Sequence, residues 1–175
     1  QRLTEKMAAI QAGHGLEEST TLGPLISAKQ RDGVAQLVER ALEQGATATT
    51  GGERPDGAGF FYPATVLANV PDDAEILRQE IFGPVATVTT FSTLEEGVAK
   101  ANDTEFGLAA YAFTENFHTA EYLAHALEAG MVGINRAAIS DAAAPFGGIK
   151  ESGFGREGGA EGIEEYISVR YIAKP

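Results

Sequence analysis

The chain has 175 residues, enough for one compact domain with a sizeable core and too few for two full domains. Its composition, 43% hydrophobic and 22% charged, is ordinary for a soluble globular protein. The 25 acidic residues against 13 basic ones give a formal charge of −12, and the basic side chains are dispersed singly, which argues against nucleic-acid binding. No apolar run approaches the roughly 20 residues that span a bilayer. The opening Gln1-Arg2-Leu3-Thr4-Glu5-Lys6 carries neither a signal-peptide pattern nor a start methionine, so the sequence is expected to begin inside a longer chain. The cytoplasm is the expected compartment. Cysteine is absent, which excludes disulfides, thiolate metal sites and a cysteine nucleophile within these residues.

Residues 3–10 read as the tail of a helix with Leu3, Met7 and Ile10 on one face. A loop follows over 11–26, containing the turn Gly23-Pro24. Ser27 then opens a helix with Gln30 as its capping-box partner, Val34, Leu37, Val38 and Ala41 as its apolar face, and Gly45 as its stop. Residues 46–50 are β-prone, 51–59 turn-rich, and 60–70 extended, with Pro63 marking an edge or irregular strand. A short helical piece over 74–79 leads into Glu80-Ile81-Phe82-Gly83-Pro84, and residues 85–91 have the content of a buried strand. Thr93 with Glu96 forms a second capping box and opens a helix to about Asn102. A strand over 108–113, a helix capped by Asn116 and stopped at Gly130, and a strand over 131–134 come next. This alternation predicts an α/β fold with a mainly parallel sheet flanked by helices. Residues 166–173 alternate apolar and polar with no following helix, and are expected to form a strand that pairs outside the main sheet or with another subunit.

Gly153-Phe154-Gly155-Arg156-Glu157-Gly158 matches the G-x-G-x-x-G dinucleotide fingerprint in letters only. The fingerprint needs a preceding strand, a following helix and an acidic residue about 20 positions on. Here it follows a loop, and it reads as a glycine-rich segment that lets backbones approach closely. His118 and His125 lie seven apart on one helix without carboxylates arranged around them, so surface or packing roles are expected and no metal site is. Two segments resist a bland reading. Glu80 to Pro84 sets a carboxylate and an aromatic beside a Gly-Pro turn just before a strand, where α/β ligands sit. Residues 145–153 form a long loop with three glycines, and long ordered loops are usually functional.

Glu80-Ile81-Phe82-Gly83-Pro84, the stretch from Asn102 to Tyr111, Gly133-Ile134-Asn135, and Pro145-Phe146-Gly147-Gly148-Ile149-Lys150-Glu151-Ser152-Gly153 together resemble the aldehyde dehydrogenase superfamily in order and spacing. Gly23-Pro24-Leu25-Ile26 and Gly162-Ile163-Glu164-Glu165-Tyr166 extend the resemblance over the whole chain. The resemblance implies an enzyme in which a cysteine attacks an aldehyde, hydride passes to NAD or NADP, and a glutamate-activated water hydrolyses the thioester. It implies that Glu80 binds the nicotinamide-ribose hydroxyls, that Phe82 packs near the nicotinamide, and that Phe146 lines the substrate tunnel. Without the resemblance, Glu80 reads equally as a solvated loop carboxylate and Phe146 as a core plug.

Ile139-Ser140 ahead of Ala144-Pro145-Phe146, with Gly155-Arg156-Glu157-Gly158, is similar to succinate-semialdehyde dehydrogenases. In that branch the matching serine helps hold the distal carboxylate of the substrate; the alternative is that Ser140 is a small polar loop residue. Arg136 departs from the small or neutral residue usual after Gly-Ile-Asn, and is expected to place a cation near the tunnel mouth. The dinucleotide-binding domain, the cysteine and the general-base glutamate would all precede Gln1. Residues 1–165 are therefore expected to be part of a catalytic domain and 166–175 an oligomerisation strand, the chain being inactive alone and forming a homo-oligomer, with a small semialdehyde as the full-length substrate. The alternative is a truncated non-catalytic paralogue that serves as an assembly or interaction module.

Overall fold

The computed structural model describes residues 1–175, which divide into two α/β units, 1–90 and 91–175. The first begins with helix α1 (Arg2–Ala8), which buries none of its residues and leaves Leu3, and Ile10 beyond its end, exposed. Ser27 starts the longer helix α2 (Ala28–Glu43): its backbone is extended and its Oγ accepts from the Gln30 amide at 3.1 Å. Val34, Leu37, Val38 and Ala41 are buried as their spacing predicts, and Ala35 joins them. They share one core with Tyr62, Leu67, Val70, Ala74 and Ile76.

Three strands complete this unit, β1 (Thr47–Thr50), β2 (Thr65–Ala68) and β3 (Val85–Thr87), in the spatial order β1-β2-β3. β1 runs antiparallel to β2, with Thr47 opposite Ala68 and a register shift between Ala48 and Thr50. β2 runs parallel to β3, with Thr65 opposite Val85. The crossover between β2 and β3 contains only a 3-10 turn, Glu75–Leu77, where the sequence suggested a longer helical piece. No side chain caps that turn, and so short a segment does not propagate a helix. The strand after Pro63 is central in the sheet rather than at its edge. Pro63 escapes the usual penalty because pairing starts two residues later, where the Thr65 amide donates to Pro84 O at 2.8 Å.

The second unit holds α3 (Leu94–Asn102), β4 (Phe106–Gly107), β5 (Ala109–Ala112), α4 (Phe117–Ala126), β6 (Met131–Ile134), β7 (Ile149–Lys150) and a closing 3-10 turn, Glu161–Tyr166. Thr93 Oγ1 accepts from the Glu96 amide at 3.2 Å, and the Glu96 carboxylate accepts from the Ser92 amide at 2.8 Å. The Ser92 amide, and then the Lys100 ammonium, hold the Glu96 carboxyl below the usual carboxylate range. Asn116 Oδ1 caps α4 by accepting from the Thr119 amide at 2.9 Å. β5 and β6 pair in parallel, Ala109 opposite Met131, as expected for strands joined through a helix. β4 and β7 pair antiparallel, Phe106 opposite Lys150.

Two of the four strand pairs are thus parallel, and the strands form three small sheets rather than one. β7 falls inside the stretch that the sequence reads as an uninterrupted loop. No strand pairs with residues 167–175: Tyr166 ends the 3-10 turn, and Ile167 beyond it has extended backbone, its amide donating to Glu164 O at 3.4 Å. No helix is long and apolar enough to cross a membrane.

Candidate functional site

Residues 80–84 carry the chain from the 3-10 turn to β3. Glu80 is exposed and makes no hydrogen bond or ion pair within the chain. Phe82 is 74% exposed and has left-handed backbone, φ +30°, which side-chain-bearing residues rarely adopt. Such a conformation persists only where the surroundings impose it. Here Gln30 Nε2 donates to Phe82 O at 3.1 Å, and Gly83 lies so close to α2 that a Cβ on it would sit 2.8 Å from Val34 Cγ2. The Gln30 side chain therefore reaches the Phe82 carbonyl rather than closing a reciprocal capping box on Ser27. The backbone of this segment is fixed while the side chains of Glu80 and Phe82 are unspent.

In the second unit the candidate residues lie on the loop that leaves β6. Asn135, in left-handed backbone at φ +54°, ties the ends of the parallel pair together. Its amide donates to Ala112 O at 2.8 Å, its Oδ1 accepts from the Thr114 amide at 2.9 Å, and its Nδ2 donates to Thr114 O at 2.8 Å. The loop thus departs from the carboxyl ends of parallel strands, where α/β folds form ligand crevices. Arg136 and Ser140 follow, both exposed and without a partner in the chain. A turn comes next, with Asp141 Oδ1 accepting from the Ala143 amide at 2.9 Å.

Phe146 is held by its backbone, which exchanges hydrogen bonds of 2.7 and 2.8 Å with Glu157. Its ring lines a cavity of about 600 Å³ together with Leu108, Ser152, Phe154, Arg156 and Tyr166, whereas Arg136 and Ser140 lie outside that lining. Arg156 Nη1 donates to Gly148 O at 2.9 Å and to Gly155 O at 2.7 Å, and Ser152 Oγ accepts from the Gly107 amide at 2.9 Å. Arg136, Ser140 and Phe146 share the chain segment between β6 and β7, of which only Phe146 lines the cavity, and Glu80 with Phe82 lies on a separate segment of the other unit.

Two glycines of the G-x-G-x-x-G stretch, Gly155 and Gly158, lie close against neighbouring atoms, whereas Gly153 faces open space. Gly155 has φ +74°, and a Cβ there would lie 2.8 Å from the Glu165 carboxylate, a group that repels rather than cradles a phosphate. Sequence reasoning missed Asn135, Arg156 and Lys150 as the residues that hold the candidate loop. Only Asn135 offered a signal, because asparagine is among the few residues that tolerate left-handed backbone. For Lys150 and Arg156, the acceptors lie on segments far away in sequence or on turns that have no local signature.

The model of the aldehyde dehydrogenase family matches residues 1–172. A succinate-semialdehyde dehydrogenase of Paenarthrobacter nicotinovorans is 52% identical over 166 residues, covering 95% of this chain and 37% of that protein. The NADP(+) succinate-semialdehyde dehydrogenase GabD of Escherichia coli (strain K12) is 41% identical over 172 residues, covering 98% of this chain and 36% of that protein. The NAD+ complex of an aldehyde dehydrogenase from Bacillus cereus superposes with a TM-score of 0.92 at 41% identity, covering 97% of this chain and 34% of that one. The chain spans about a third of the length of the relatives it matches. With its motifs in register and its fold shared, the chain belongs to the aldehyde dehydrogenase family.

Proposed function

We propose that this chain is the C-terminal part of an NAD(P)-dependent aldehyde dehydrogenase that oxidises succinate semialdehyde to succinate. Residues 1–165 are the catalytic-domain portion and 166–175 an oligomerisation strand. One observation carries the reading: the side chains matching the family's binding residues have no structural duty in this chain, since Glu80, Arg136 and Ser140 make no bond within it and the Phe82 ring is exposed.

The residues suit the cofactor chemically. A carboxylate accepts from two vicinal hydroxyls at once, so Glu80 holds the nicotinamide ribose, and the exposed Phe82 ring packs beside the nicotinamide. When bound, NAD or NADP supplies the hydride acceptor. Ser140 donates a hydrogen bond to the substrate's distal carboxylate, an interaction with a charged group that contributes roughly 1.5–3 kcal/mol. Arg136 adds a cation on the same loop, which favours substrates bearing a carboxylate, and Phe146 forms an apolar wall of the tunnel. Residues 1–175 contain no cysteine, so the thiol that attacks the aldehyde comes from elsewhere in the full-length protein.

The test is NAD(P)-linked oxidation of succinate semialdehyde by the full-length protein and by residues 1–175 alone. Activity in the first and none in the second is the expected result. A full-length protein active only on aldehydes without a distal carboxylate overturns the roles of Ser140 and Arg136. Turnover by the cysteine-free chain overturns the mechanism.

A further inference from the structure

Lys150 combines an unfavoured backbone with a side chain whose hydrogen-bonding capacity is fully used. It has φ +55°, a left-handed conformation in which a glycine would be more comfortable. Its ammonium donates to Asn102 O at 3.0 Å and Thr104 O at 3.2 Å, and pairs with Glu128 Oε2 at 2.7 Å. An ammonium has three donors, and all three are engaged.

The acceptors belong to a junction of two helices. Asn102 is the last residue of α3, and Glu128 lies just past the end of α4. The Asn102 side chain already links these ends, with Nδ2 donating to Ala126 O at 2.8 Å and Oδ1 accepting from the Glu128 amide at 2.9 Å. Helix C-termini concentrate negative partial charge, and a cation placed there is favoured. The backbone around Lys150 is pinned to the same region: Lys150 pairs with Phe106, and the Glu151 amide donates to Glu105 O at 2.9 Å.

Phe146, Gly147, Gly148 and Ser152 flank this anchor and line the cavity, whereas Lys150 does not line it. Lys150 therefore acts on the cavity through the segment that carries it. We propose that Lys150 is a positioning residue, whose ammonium locks residues 146–152 onto the ends of α3 and α4 and so sets the Phe146 ring for the aldehyde. The consequence for catalysis rests on the reading of Phe146 as a tunnel wall; the lock itself does not.

The test compares Lys150→Met and Lys150→Arg in the full-length protein, by steady-state kinetics and by hydrogen exchange over 146–152. Lys150→Met is expected to raise the KM for succinate semialdehyde about tenfold, with kcat and the cofactor KM changed less than about twofold, because a small misplacement at a substrate wall affects substrate binding first. It should also speed exchange over 146–152. Lys150→Arg, which keeps a cation with several donors, should restore both readouts in part. Should Lys150→Met fail to fold, Glu128→Gln weakens one of the three contacts and is expected to shift both readouts in the same direction. An unchanged aldehyde KM, or a uniform change in every kinetic constant without local exchange, overturns the positioning role. If the unsubstituted protein oxidises no aldehyde, the proposed function fails instead. Exchange then judges the lock alone: faster exchange with Lys150→Met supports it and unchanged exchange overturns it.

Discussion

Tyr62 is the residue whose chemistry the fold alters most. It is 1% exposed, and its hydroxyl has no hydrogen-bond partner in the chain. Burial, and then the Glu39 carboxylate, push its pKa up to about 12. The folded chain thus favours the neutral phenol: the resulting stability is complete below the ordinary tyrosine value of 10.0 and is lost as pH rises toward 12. A buried polar group left unpaired costs roughly 1–3 kcal/mol, so Tyr62→Phe is expected to raise stability by about 1 kcal/mol at neutral pH and to flatten its alkaline decline. Urea unfolding at pH 7 and at pH 11 reads both effects, and a destabilised Phe variant would show that the hydroxyl has a partner in solution. None of this was legible in the sequence, where Tyr62 is one residue of an extended stretch. Glu80 and Phe82 stood out in the sequence as a carboxylate and an aromatic beside a Gly-Pro turn, but that their side chains are free could not be read there, because the backbone is held by Gln30, fifty-two positions before Phe82.

Helix starts were the most readable elements, since a cap is a local bond between a side chain and an amide three residues on. Ser27, Thr93 and Asn116 each make the bond that their sequence position promises. Ser27→Ala should therefore cost about 1 kcal/mol, and urea unfolding followed by circular dichroism measures it. A loss below a few tenths would mean that α2 is set by its buried face alone. The strands were less legible because their ends depend on partners distant in sequence. Residues 85–91 carry strand composition throughout, yet β3 ends at Thr87, where β2 ceases to offer a ladder. Ile149 and Lys150 look like loop because only Phe106 and Gly107, more than forty positions earlier, make them a strand. β5 and β6, joined through a helix, are parallel, and so are β2 and β3, whose connection holds only a 3-10 turn, whereas β1 and β2 are antiparallel.

Across the whole molecule, apolar burial is unequal. Thirteen of the fourteen buried apolar residues fall between Val34 and Ile76, and only Val98 represents the second unit. That unit instead leaves Phe113, Phe117 and Phe154 exposed, and at the C-terminus Ile167, Val169, Tyr171 and Ile172 as well. Exposed apolar surface beside an unpaired extended segment favours association. The chain is therefore expected to self-associate, as a dimer by light scattering, and to become monomeric when 166–175 are removed; a clean monomer of the intact chain at high concentration would contradict the oligomerisation strand. In the first unit, Gln30 makes the opening turn of α2 and the Phe82 carbonyl a single mechanical piece. Because coupling between two sites is reciprocal, a ligand that gripped Phe82 would stiffen the helix start, and slack in that turn would loosen the grip. The helix that supplies five of the fourteen buried apolar residues is thus also a lever with its short arm in the segment proposed to hold the cofactor.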